Sequence, residues 1–199
     1  HKLALSYFDI VPLTSTTTGC PPKKINLYAS NDDINWVYLL TDEVVDVQPG
    51  VTKTVTASTQ TKYKYFILQV TEMNPGSSVS APAQYTWTRF SNLSFYGHRE
   101  NDLVRLPDPT NVLKYPHIAM TGPAQRGYVA TASWPIIEGV QYHWKAFNGI
   151  TDDVGAILMN INYDANGNAN TSGTTASRLS TSDSTPYGEW FKLELPNKI

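Results

Sequence analysis

Short runs in which apolar residues alternate with polar ones, or in which β-branched and aromatic residues cluster, recur along the whole chain. Runs of this kind, separated by turn residues, are typical of antiparallel strands. They lie at Leu3–Val11, Ile25–Ala29, Trp36–Leu40, Val51–Thr56, Tyr63–Val70, Tyr85–Tyr96, Tyr128–Ala132, Ala156–Tyr163 and Glu189–Leu195. No stretch of a dozen residues keeps a helical period, because Pro or Gly interrupts the candidates. The pattern predicts an all-β antiparallel β-sandwich with little helix.

Polar stretches separate these runs. The sequence predicts loops at Thr14–Pro22, Glu72–Pro82 and Asp164–Tyr187, the last built almost entirely of Asn, Gly, Thr, Ser and Ala. Residues 98–115 are charged, contain Pro and lack strand alternation. We interpret them as a linker between an N-terminal part, residues 1–97, and a C-terminal part, residues 116–199.

Composition narrows the classes of partner. Only 16% of the 199 residues are charged and the net charge is −2, whereas an average soluble domain is roughly 25% charged. Without a basic patch we expect no nucleic-acid partner, and without about 18 consecutive apolar residues we expect no membrane insertion. The chain begins at His1 with neither an initiator Met nor a signal peptide, which suggests a segment of something longer.

Catalytic motifs are missing from the sequence. There is no zinc-binding His-Glu-x-x-His, no Gly-x-Ser-x-Gly and no glycine loop suited to phosphate. The four histidines are scattered, at His1, His98, His117 and His143, and Cys20 is the single cysteine, so no disulfide forms within the chain. We therefore predict a protein that is not an enzyme.

The end of the chain reads as the first half of a domain that the beginning of the chain completes. The pieces that carry this reading are 127–133, 145–149, 189–196, 22–36, 63–70 and 90–97, in that cyclic order. They include Tyr128-Val-Ala-Thr-Ala132, Ala146-Phe-Asn-Gly149 and Phe95-Tyr-Gly97. Taken together they resemble the discoidin family, also called coagulation factor type C, among the galactose-binding-like jelly rolls.

The order of the pieces departs from that family, in which the Tyr-Val-Ala-Thr-Ala piece comes first and Phe-Tyr-Gly comes last. The chain is then either a segment of a tandem array holding halves of two domains, or one circularly permuted domain. Exchange of halves between copies, giving a homo-oligomer, is a third interpretation. We favour one complete sandwich, because the two halves add up to one domain without omission or overlap.

The resemblance implies a ligand site on loops at one end of the barrel, here residues 133–144. Trp134, Tyr142 and Trp144 would form an apolar platform, and His143 would supply a hydrogen bond. Each of these aromatic residues has core packing as its alternative role. Trp87 and Arg89 are further ligand candidates.

The resemblance also implies a structural calcium ion beside the Ala-Phe-Asn-Gly turn. Asn148 stands where the family has Asp, and Asn92 stands where the final strand offers an acid. Asp152 and Asp153 remain as carboxylate ligands, which a hard cation requires.

The function that follows from the resemblance is non-enzymatic binding of cell-surface carbohydrate. The alternative is a virion building block whose loops contact neighbouring subunits. Disulfide-free domains that carry a linker like residues 98–115 are similar to those of large-virus and phage fibres. We therefore expect the protein to lie outside the cell or at a virion surface.

Overall fold

The computed structural model describes residues 1–12, 21–48, 50–74, 85–100, 112–133, 142–150, 156–163, 168 and 189–197, without the side chains of 85–89, 156–163 and 189. Cys20 and most of the three predicted loops lie outside these residues. The described strands are β1 Leu3–Val11, β2 Pro22–Ser30, β3 Val37–Val44, β4 Lys53–Thr56, β5 Tyr65–Met73, β6 Tyr85–Phe90, β7 Asn92–Arg99, β8 Leu113–Tyr115, β9 Ala124–Gln125, β10 Tyr128–Ala132, β11 Ala156–Tyr163 and β12 Glu189–Glu194. A 3₁₀ turn spans His143–Phe147.

Two larger sheets form the body of the fold. One has the strand order β4-β1-β7-β8, and the other has the order β3-β2-β5-β12-β10-β9. Strands β11 and β6 form a separate two-stranded sheet. Neighbouring strands of the larger sheets pair antiparallel. The predicted all-β antiparallel sandwich is confirmed.

The core lies between the two larger sheets. In β2 the inward residues Ile25, Leu27 and Ala29 are fully buried, as the alternation of a strand requires. Phe66 of β5 meets Phe95 of β7 across the sandwich, with 5.5 Å between ring centroids. Apolar contacts between facing aromatic rings therefore hold the sheets together.

A buried polar network occupies the other face of β2. Asn26 accepts a hydrogen bond from the Asp42 N–H at 2.8 Å and donates to Gln69 Oε1 at 3.0 Å. The Tyr28 hydroxyl donates to the same Gln69 oxygen at 2.9 Å, and burial raises the pKa of Tyr28. These polar groups satisfy one another, which explains how the strand buries both of its faces.

Strands from both halves of the chain share the six-stranded sheet. Strand β12 lies between β5 and β10, so that Phe191 pairs with Leu68 on one side and Ala132 on the other. The beginning and end of the described chain also meet. The N–H of Leu195 donates to the Lys64 carbonyl at 2.9 Å, and the His1 nitrogen donates to the Pro196 carbonyl.

The structure describes parts of two further predicted segments. The run Tyr85–Tyr96 divides at Ser91, because β6 pairs with β11 whereas β7 pairs with β1. The predicted linker, 98–115, has paired ends: β7 continues to Arg99, and β8 pairs with β7 through Leu113 and Gly97. Residues 101–111 of that linker lie outside the described residues.

Candidate functional site

The structure describes half of the side chains that were predicted to bind a ligand. Outside the described side chains lie Trp134, Trp87 and Arg89. Within them lie Tyr142, His143 and Trp144, which sit at the start of the 3₁₀ turn.

His143 points into the protein. Its side chain is only 8% exposed, and Nε2 lies 2.7 Å from the Ala130 carbonyl oxygen of β10. Burial lowers the pKa of His143, although the hydrogen bond to Ala130 opposes the shift. A buried, neutral imidazole whose Nε2 donates to a strand carbonyl favours a structural role.

Tyr142 and Trp144 form a small aromatic pair. Their ring centroids are 5.8 Å apart with an interplanar angle of 52°, and Lys145 Nζ lies 5.6 Å from the Tyr142 centroid. Both rings are half-buried, and Trp144 packs against the core. Part of the predicted aromatic platform therefore contributes to packing, whereas its exposed part stays a candidate for ligand contact.

The predicted calcium ligands are described in part. A cavity of about 80 Å³ lies between Asn92 and Gly149, and Lys114 also lines it. The buried Oδ1 of Asn92 has no hydrogen-bond partner among the described residues, which is what is expected of an oxygen that ligates a cation. Asn148 Oδ1, in contrast, accepts a hydrogen bond from the Ile150 N–H at 2.9 Å. These oxygens are neutral and Lys114 is cationic, so the negative charge that Ca²⁺ requires must come from elsewhere.

Asp152 and Asp153, the carboxylates predicted for this site, lie outside the described residues. Calcium binding therefore stays a prediction.

A pocket that the sequence did not indicate lies where the two chain ends meet. Its volume is about 180 Å³. Its lining includes two arginines, two tyrosines and two histidines, namely Arg99, Arg126, Tyr115, Tyr128, His1 and His117. We call it the basic pocket.

The side chains that line the basic pocket come from separate segments of the chain. Arg99 is the last residue of β7, and Tyr115 ends β8. Arg126 lies in the turn between β9 and β10, and Tyr128 is the first residue of β10. Residues 195–197, which follow β12, complete the lining.

The basic pocket combines buried hydroxyls with exposed cationic or ionisable groups. Tyr115 and Tyr128 are each 3% exposed, whereas His117 and Arg126 are exposed and Arg99 is half-buried. The Tyr128 hydroxyl lies 2.7 Å from His117 Nδ1. Burial raises the pKa of Tyr128, although His117 and the Arg99 charge oppose the shift. The phenol therefore stays protonated at neutral pH and can donate to His117.

Sequence reasoning missed this pocket for an identifiable reason. Arg99 fell within the predicted linker, and His117 was grouped with the scattered histidines. Neither Arg126 nor Tyr128 belongs to a local chemical motif with them. The sequence signal that could have indicated the pocket is the pair Arg126-Gly127, which precedes the strand-like run Tyr128–Ala132. A two-residue turn at that position places the long cationic side chain of Arg126 at the end of a sheet.

No family model, no curated protein and no solved structure matches this chain. The described residues contain no group of three or more His, Cys, Asp and Glu side chains placed to hold a metal ion. Within the same ranges no helix has the length and hydropathy of a membrane span.

Proposed function

We propose that this chain is a non-enzymatic recognition module that binds cell-surface carbohydrate, and that the basic pocket receives the ligand. The convergence of Arg99, His117, Arg126 and Tyr128 on one concave site carries this proposal. Small-ligand sites combine a concave wall with a few converging polar groups. Hydroxyl, imidazole and guanidinium groups together can donate to and accept from sugar hydroxyls.

The size of the pocket sets the length of ligand that it would enclose. At about 180 Å³ it is smaller than the roughly 300–1,000 Å³ of clefts for drug-sized ligands. It would therefore enclose one terminal sugar residue, and the remainder of a glycan would extend over the surface. The exposed part of the Tyr142 and Trp144 rings is the second candidate contact.

The resemblance to the discoidin family supports the same proposal. Five of the six pieces that carry it fall on β10, β12, β2, β5 and β7, which come from both halves of the chain, and the sixth overlaps the 3₁₀ turn. Their contribution to a common sandwich supports one permuted discoidin-like domain. Such a domain would act at a cell or virion surface, as part of a larger fibre or surface protein.

A glycan array probed with the labelled protein tests the proposal. We expect at least one glycan to bind, and His117→Ala to weaken that binding about three- to tenfold, because it removes one hydrogen-bonding group. Lys62→Gln is the matched control, because Lys62 is exposed and lies outside the pocket lining, and it should bind as the wild type does. Loss of binding in Tyr142→Ala alone would move the site to the 3₁₀ turn, and no binding to any glycan would contradict carbohydrate recognition.

A second candidate function is that of a structural subunit, and one surface favours it. Apolar side chains are exposed on and beside the edge strand β3: Ile34 by 78%, Val37 by 43%, Tyr38 by 46% and Val44 by 55%. Such groups often mark protein contacts. Light scattering after size exclusion tests this candidate: a complex that Tyr38→Lys dissociates would support it, and a monomer at high concentration would count against self-assembly.

A further inference from the structure

The cationic groups of the basic pocket have no carboxylate partner in the described structure. The ion pairs in which both partners are described residues involve lysines, and neither Arg99 nor Arg126 takes part in one. The described lining residues include no Asp or Glu. Glu100 follows Arg99 in the sequence, and its charge raises the pKa of the His1 amino group. Among the described residues, therefore, no carboxylate competes with an outside anion for the two guanidinium groups.

The backbone at Arg126 is strained in a way that favours a ligand role. Arg126 has a φ of +49° and Gly127 a φ of +82°, so both central residues of the β9–β10 turn are left-handed, as in a type I′ turn. Asn and Gly are the usual residues at the first of these positions, and a long side chain is uncommon there. Strained residues of this kind cluster at functional sites.

Gly127 shows how closely this turn is fitted to the chain end. A Cβ at Gly127 would lie 2.9 Å from Pro196 Cβ, so glycine is what allows residues 195–197 to approach the hairpin. The turn thus fixes the Arg126 backbone beside the pocket lining. A backbone held in this way does not have to be ordered when Arg126 binds a ligand.

The neutral groups of the pocket complement the arginines. When the Tyr128 hydroxyl donates to His117 Nδ1, the imidazole proton lies on Nε2, which leaves a further donor. Arg99, Tyr128 and His117 line the same pocket, so a guanidinium, a phenol and an imidazole face one ligand volume. The set is rich in donors, and an anionic oxygen group is the acceptor that suits it.

We propose that the basic pocket selects an acidic sugar, whose carboxylate or sulfate ester is bound by Arg99 and Arg126. This inference rests on the proposed carbohydrate-binding function and specifies its ligand class. Arginine suits both groups because its planar fork can donate two parallel hydrogen bonds to paired oxygens. The pocket supplies this local positive charge in a chain whose net charge is −2.

Isothermal titration calorimetry at low salt with matched trisaccharide and disaccharide probes tests the inference. The probes are 3′-sialyllactose, lactose 3′-sulfate, unmodified lactose and inorganic sulfate. We expect at least one acidic sugar to bind ten or more times more tightly than lactose, a difference of about 1.4 kcal/mol or more. The acidic sugar that binds identifies carboxylate or sulfate as the recognised group.

Variants assign the effect to the two arginines. Arg99→Gln and Arg126→Gln should each weaken binding of the acidic sugar at least tenfold, and Arg126→Lys should restore only part of it, because lysine lacks the fork. Lys62→Gln removes an exposed charge outside the pocket lining and should change affinity less than twofold. Arg126 is exposed, so its variants should fold, and thermal unfolding verifies this for each variant.

The outcomes separate the two proposals. Lactose binding as tightly as both acidic sugars would overturn acid selectivity and leave carbohydrate binding in place. Equal affinities of Arg126→Gln and Lys62→Gln would also overturn the role of the pocket in acid selection. Binding of inorganic sulfate without any sugar, or binding of none of the probes, would overturn acidic-sugar recognition and count against the proposed function itself.

Discussion

Replacing Phe191 by Ala tests whether β12 joins both halves of the chain into one cooperative unit. Phe191 is 1% exposed, and its ring centroid lies 4.7 Å from that of Phe90. Truncation of a buried Phe to Ala costs about 3–5 kcal/mol through lost burial and the cavity that remains. Whole domains are stable by about 5–15 kcal/mol, so the variant should lose a large share of its stability.

Urea unfolding followed by circular dichroism measures this loss. With a denaturant dependence of about 2–3 kcal/mol per molar, the midpoint should fall by about 1–2.5 M. Lys192→Ala is the control in the same strand. It removes a half-exposed ion pair with Asp33, with 2.8 Å between Lys192 Nζ and Asp33 Oδ2, and such pairs contribute at most about 1 kcal/mol.

Hydrogen exchange with mass spectrometry shows where the stability is lost. Because β12 pairs with β5 on one side and β10 on the other, Phe191→Ala should weaken protection in β2 and in β10 by similar free energies. Loss of protection confined to β10, with β2 unchanged, would show that the two halves unfold separately and would refute the reasoning.

Three further predictions concern other parts of the sandwich. Gly97→Ala places a Cβ 2.1 Å from the Ala4 carbonyl oxygen, so β1 and β7 must separate. We expect calorimetry to show that the free energy of unfolding falls by about 1–3 kcal/mol. The control is Gly122→Ala, whose Cβ would have no atom within 4 Å and which should lower the free energy of unfolding by less than about 0.5 kcal/mol. Burial lowers the pKa of His143, so stability should fall as pH drops below about 6.5, where the unfolded imidazole takes up a proton first; an unchanged slope in His143→Gln would contradict this. Calcium should raise the melting temperature, and an equal rise in the double variant Asp152→Asn, Asp153→Asn would exclude those carboxylates as ligands.

The strands that could be predicted from the sequence are those with a strong local pattern. The runs Leu3–Val11, Tyr128–Ala132 and Ala156–Tyr163 have the bounds of β1, β10 and β11. Strands β8 and β9 were missed because they have three and two residues, too few to show alternation. Their existence depends on neighbours that are distant in the sequence.

The candidate site was less predictable than the fold for the same physical reason. A motif detects groups that are close in sequence, such as Tyr142, His143 and Trp144. The basic pocket instead joins Arg99, at the end of β7, to His117 and Arg126 of the second half, and only the sheet pairing brings them together. No periodicity or spacing along the chain encodes that juxtaposition.

The basic pocket and the junction of the two halves are the same part of the molecule. His1 comes from residues 1–97, whereas Tyr128 comes from residues 116–199, so neither half contains the pocket by itself. A ligand that binds only the assembled pocket must stabilise the assembly, by about 2.7 kcal/mol at a free concentration one hundred times its dissociation constant. Saturating acidic sugar should therefore raise exchange protection in β2 as well as in β10. Protection that rises around the pocket alone would mean that recognition and the joining of the halves are energetically separate.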